Sequence, residues 1–172
     1  MKRIISICLV TLCTHFISFG QDSMICNQSR FEDDLLNKLA GDWDLTGTIG
    51  NRAAENHFSA QWVLNHQFIE LNLVDVVSPP RYMAKVSIGF DCISERYVAH
   101  WLDILGGRIS ETLGYGIKKG EGIEFRFEYP DGPFINLLSY DGHADSWHMH
   151  MTQKDSKGTW VVFGDEYLKR KK

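Results

Sequence analysis

Apolar and polar residues change places at almost every step along much of this chain. "HFSAQWVL" sets Phe58, Ala60, Trp62 and Leu64 on one face and His57, Ser59 and Gln61 on the other. "YMAKVSIGF" alternates Tyr82, Ala84, Val86, Ile88 and Phe90 against Met83, Lys85, Ser87 and Gly89. In "GIEFRFEY" Ile123, Phe125, Phe127 and Tyr129 turn inward, while Glu124, Arg126 and Glu128 turn outward. A period of two marks strands with one dry and one wet face. Turn signals separate these runs at regular intervals: "IGNR", "SPPR", "DCISE", "LGGR", "KKGE", "PDGP", "DGHA" and "DSKG". They divide the chain into about ten strands, near 42–49, 55–65, 67–77, 82–90, 95–103, 108–116, 121–129, 133–140, 145–153 and 158–168.

One segment departs from this rhythm. From Ser29 to Leu39 the apolar residues Phe31, Leu35, Leu36 and Leu39 share a helical face. Ser29 and Glu32 have capping-box spacing, and Gly41 stops the helix. No other segment reads as helical, and none could cross between parallel strands, so neighbouring strands must pair antiparallel. The expected fold is all-β: an antiparallel up-and-down barrel of about ten strands, with the short N-terminal helix plugging one end. Gly41 lets the chain turn, and Trp43 lays its ring across that floor.

Composition adds a location. Lys2 and Arg3 precede the apolar run "IISICLVTLCTHFISF", and Ser18-Phe19-Gly20 supplies small residues before a cut. Residues 1–20 therefore read as a cleaved secretory signal and 21–172 as the barrel domain. The run is short and holds Thr14 and His15, so it does not read as a membrane span. The mature domain carries 16 bases against 22 acids, a net charge of −6. Nucleic-acid binding has no basic footprint here. The terminal "KRKK" reads as a solvated tail. The expectation is an exported, periplasmic or secreted protein without a membrane span after signal removal.

Strand parity sorts the turns. Even-numbered strands end at the helix-plugged floor, which brings the "DCIS" turn near the helix and makes Cys26–Cys92 a disulfide candidate in an oxidising compartment. The turns at 50–54, 78–81, 104–107, 130–132 and 154–157 form the opposite end, where a ligand would enter. Ile104 and Leu105 form an unusually apolar turn there.

Gly41-Asp42-Trp43 after a short helix resembles the lipocalin and calycin signature. The segments "LAGDWDLTGTIG", "AQWVLNHQFIEL", "SIGFD", "RYVAHWLD" and the "GYG" at 114–116 resemble an uncharacterised bacterial family of lipocalin-like barrels. That likeness implies a ten-stranded barrel and no particular activity. "GDWDLTG" is also similar to the Gly-x-Trp-x-Gly-x-Gly opening of nitrobindins, barrels that hold haem and react with nitrogen oxides. Leu45 replaces one of those glycines, and the terminal "VVFGDEYLKRKK" lacks the iron-ligating histidine of that family. No cofactor is expected.

The expected role is uptake of a small apolar or amphipathic molecule, because ten strands enclose more space than side chains fill easily. Trp62, Val86, Trp101 and Phe125 are expected to line the interior, with Phe127, Trp147 and Met149. Asp103 shares the inward face of Trp101. Glu70 and Asn72 join the cavity if Phe68 and Val74, rather than Ile69, Leu71 and Leu73, face inward. The alternative function is a hydrolase- or isomerase-like enzyme using inward carboxylates, with a haem or metal barrel as a third reading. No catalytic residue is assigned, because the sequence holds no phosphate loop, nucleophile elbow or His-Glu-x-x-His helix. His148 and His150, two apart on a strand, could meet one Zn²⁺ or Cu²⁺. Trp147, Met149 and Met151 have the stronger claim to the interior, so both histidines, like His100, read as solvent-facing and no metal site is assigned.

Overall fold

A computed structural model describes residues 30–172; the expected signal, Cys26 and Ser29 lie outside the described residues. Among the described residues ten strands occur: β1 (Gly41–Ile49), β2 (Arg52–Val63), β3 (Phe68–Asp75), β4 (Met83–Asp91), β5 (Arg96–Asp103), β6 (Leu113–Lys118), β7 (Gly122–Tyr129), β8 (Gly132–Asp141), β9 (Ser146–Lys154) and β10 (Trp160–Arg170). Each pairs antiparallel with its sequence neighbours, and β1 pairs with β10 to close the barrel. Closure removes every open edge, which answers the unpaired backbone groups an open sheet would leave.

Helix α1 (Asp34–Leu39) is shorter than the pattern at 29–39 implies. Its cap among the described residues is Asp33, whose Oδ1 accepts from the Leu36 amide at 2.8 Å while Oδ2 accepts from the Tyr97 hydroxyl at 2.6 Å. One carboxylate thus starts the helix and holds it to β5. Leu35, Leu36 and Leu39 enter the same buried cluster as Trp43, Leu45 and Leu168. The Trp43 indole donates to the Leu39 carbonyl at 2.8 Å, satisfying one of the open acceptors at the helix end.

The terminal basic run is exposed, as expected of a solvated tail, but Arg170 within it is also tied to the barrel. Arg170 lies over the Trp43 ring at 4.0 Å and donates to the carbonyls of Lys38 and Ala40. Its Nε also donates to Asp145 at 2.7 Å, which holds that carboxyl below its usual range. A planar guanidinium can stack and hydrogen-bond at once, so the last strand clasps the helix end and the first strand together.

A second helix, α2 (Gly107–Ser110), replaces the expected start of the sixth strand at 108. Gly106 at φ 88° turns the chain, and the Asp103 carboxylate accepts from the Leu105 amide at 2.8 Å. These local bonds divert the segment before it can join the ladder, and β6 begins only at Leu113. Further along, the rings of Phe127 and Phe125 occupy the space that Cβ atoms at Gly114 and Gly116 would need. The "GYG" stretch is therefore a seat for two core aromatic rings.

The closing seam is equally tight at Gly47, paired with Glu166. A Cβ there would run into the Asp165 backbone carbonyl and come within 2.6 Å of the Glu166 Cα. Gly47→Ala must therefore spread β1 from β10. The expected outcome is a loss of about 1–3 kcal/mol, read as a lower urea midpoint with an unchanged slope.

Candidate functional site

Opposite α1, the barrel holds a cavity of about 520 Å³. That size suits a small organic molecule. Its walls come from Leu73, Trp101, Phe127, Phe134, Met151 and Phe163, and its rim from Arg52, Arg81, Leu105, Ile109, Asp131 and Lys154. Beneath it, a void of about 20 Å³ is bounded by Val86, Phe125, Met149 and Asn136. The Asn136 side-chain oxygen has no partner, and the space is about that of one water molecule. Trp101 and Phe127 border both spaces. The interior is thus filled by side chains towards α1 and hollow towards the opposite rim.

The polar groups of the cavity are few. The Trp101 indole donates to the Tyr82 hydroxyl at 3.0 Å, which in turn donates to Asp103 Oδ2 at 3.3 Å. Burial, offset in part by the Trp101 bond and reinforced by Asp103, pushes the Tyr82 phenol well above its ordinary range. Tyr129 is raised too, first by burial and then by the Asp103 charge. Asp75 is held below the usual carboxylate range by the Arg81 guanidinium, whose Nε donates to it at 2.8 Å. Asn56 is buried beside them.

Glu166 is different in kind. It is 3% exposed, lines the cavity, and has no hydrogen-bond or ion-pair partner among the described residues. Desolvation alone pushes its carboxyl up to about 7. The carboxylates of Glu166 and Asp103 both act on the Tyr82 hydroxyl, so the three groups share one field.

The expected lining residues separate into four places. Trp101, Asp103 and Phe127 line the cavity. Val86, Phe125 and Met149 border the lower void. Trp62 and Trp147 lie outside both linings: the Trp62 indole donates to Asn37 of α1 at 2.9 Å and stacks on His66, while Trp147 is fully buried against Tyr140. Glu70 and Asn72 need a correction. Ile69, Leu71 and Leu73 take the interior of β3, so Glu70 and Asn72 fall on the outer face, where Glu70 meets Lys85 at 3.1 Å. The apolar trio gains more from burial than two polar side chains lose by leaving water.

Glu166 escaped the sequence reading for a physical reason. Simple alternation through Val161, Phe163, Asp165 and Tyr167 sends Glu166 outward. The β9–β10 register slips between Val162 and Gly164, so Phe163 lines the cavity and Gly164, Glu166 and Leu168 then face inward. A glycine inside a strand was the available signal for such a bulge. His100 faces outward as expected and bonds the Ser110 carbonyl at 2.9 Å. Cys92, just past β4, is disulfide-bonded, and the expected partner Cys26 is outside the described residues. Among the described residues no helix is long and apolar enough to cross a membrane.

The described residues define a closed ten-stranded antiparallel barrel whose larger internal cavity carries an unpaired buried carboxyl. No protein-family model matches the chain, and the search of curated proteins finds no match.

The Glu166 environment has a pH signature. In the unfolded chain this carboxyl ionises near 4.5, and in the folded protein only near 7. The folded state holds the proton longer, so stability falls as pH rises through that window, by up to about 3 kcal/mol. Below it the group is protonated in both states and contributes nothing. Glu166→Gln removes this slope, so the difference between wild-type and variant urea stabilities should change between pH 4.5 and 7 and be flat outside. A difference curve flat throughout would show Glu166 to be solvated.

Proposed function

We propose that the protein is an exported lipocalin-like carrier of a small amphipathic molecule, held in the cavity with α1 closing the other end. The observation that carries this reading is an apolar hollow of about 520 Å³ with an unpartnered carboxyl in its wall. Aromatic and aliphatic walls offer burial to a tail. Glu166 and Asp103 offer oxygens, so the complementary head group is one that donates hydrogen bonds, best of all a protonated amine. The Cys92 disulfide supports an oxidising compartment and hence export. The Gly41-Asp42-Trp43 opening and the barrel support the lipocalin-like reading.

A second reading follows from the same carboxyl. A group that titrates near 7 is poised to give and take protons, so Glu166, with Tyr82 and Asp103 nearby, suits acid–base chemistry on a bound substrate. Carriage is the reading we favour, because the hollow and its carboxyl account for it without a further reacting group.

Calorimetric titration at pH 8 with dodecylamine and dodecanoate, both below their micelle-forming concentrations, tests the carrier. Dodecylamine should bind with one molecule per chain, and dodecanoate at least about tenfold more weakly, a difference of roughly 1.4 kcal/mol. Glu166→Gln should erase that preference while leaving tail binding. Failure of both probes to bind would overturn the carrier; equal binding by the wild type would overturn the role of Glu166.

A further inference from the structure

On the outer wall, β9 and β10 bring together three side chains that the cavity does not use. His148 and His150 project from β9, and Asp165 projects from β10 in register with His150. His148 Nε2 lies 2.7 Å and His150 Nδ1 2.9 Å from the same Asp165 oxygen. All three donor atoms fall within 4.8 Å of one another. We propose that His148, His150 and Asp165 form a binding site for a divalent transition-metal ion, Zn²⁺ or Cu²⁺, on the outside of the barrel.

The geometry favours this reading over a plain hydrogen-bonded trio. Ligand atoms around a tetrahedral Zn²⁺ stand roughly 3.3 Å apart, given metal–ligand bonds of about 2.0–2.1 Å. The two histidine contacts need open by only a few tenths of an ångström to admit the ion. Strands set the spacing: residues two apart on β9 share the outer face, and the β10 pairing puts Asp165 opposite His150, where its carboxylate also reaches His148. Tyr167 stacks on the His148 ring at 4.3 Å with planes 5° apart, which holds that imidazole in place. The side chains of His148, His150 and Asp165 are 32%, 37% and 37% exposed, leaving room for a water ligand and an entry path.

Charge and chemistry agree. The residues in register with the trio, Thr48, Leu137 and Ser139, carry no charge, so no cation in those positions opposes an incoming ion. In the metal-free state each ring donates an N–H to the same Asp165 oxygen. On metal binding each neutral ring moves its proton to its other nitrogen, freeing a lone pair, and the carboxylate changes from acceptor to ligand. Two imidazoles and one carboxylate suit Zn²⁺ and Cu²⁺, whereas Mg²⁺ and Ca²⁺ favour all-oxygen shells.

Calorimetry with zinc chloride on the tag-free exported chain tests the site, with magnesium chloride alongside. About one Zn²⁺ should bind per chain, and Mg²⁺ should give no heat. The double substitution His148→Ala, His150→Ala should weaken Zn²⁺ by at least about tenfold, and Asp165→Asn, which keeps the side chain's size, should weaken it less. Cu²⁺ bound to the wild type should show hyperfine coupling to two nitrogens in its paramagnetic resonance spectrum. Thermal melting without metal separates loss of binding from loss of fold; should the double variant unfold, Asp165→Asn and the nitrogen couplings still decide. Zn²⁺ binding that is absent, or unchanged in the folded variants, or Cu²⁺ without two-nitrogen coupling, would overturn the proposal.

Discussion

Pairing of the first strand with the last is the constraint on which the rest of the structure depends. Without the β1–β10 ladder the sheet would have two exposed edges and no enclosed interior. Gly47 permits the approach, and Arg170 secures it by spanning Trp43, the end of α1 and Asp145. These groups come from opposite ends of the described chain, so their contacts form only once the barrel has closed. The same ladder carries Glu166 inward and Asp165 outward at adjacent positions, so the two candidate sites share a single strand and one register.

Filling one half of a barrel and leaving the other hollow has an electrostatic consequence. Towards α1 the interior is packed with side chains such as Trp43 and Trp147, and the Trp43 indole finds its partner in the Leu39 carbonyl. Where the walls stand apart, Glu166 sits in a space with apolar surroundings and no counter-ion among the described residues. An unpaired buried carboxyl is destabilising when ionised. Its retention makes sense if a bound molecule completes it, which ties the weakness of the fold to the proposed function. Asp75 shows the contrast: next to an arginine at the rim, its carboxyl is lowered.

The alternation of apolar and polar residues made most of the architecture legible. Strand number, antiparallel order and the inward faces of β2, β4, β7 and β9 follow from local pattern, because each strand buries the apolar set that its period of two provides. The exceptions have local causes that periodicity does not express. Asp103 and Gly106 start α2 in place of a strand, and Asp33 takes over the helix cap. In β3 two alternating sets compete, and only packing against neighbouring strands chose Ile69, Leu71 and Leu73 over Glu70 and Asn72.

The sequence by itself determined a barrel, an aromatic interior with Trp101, Phe127 and Asp103 on one wall, and a histidine pair facing out. Tertiary structure alone decided where the barrel is hollow and what meets in it. A register slip next to Gly164 turned Glu166 into the cavity and set Asp165 opposite His150, within reach of His148. The reason is that parity within a strand is a local property, carried by successive residues. A bulge, and the neighbour it selects across the ladder, depend on how two strands pair once the sheet has closed.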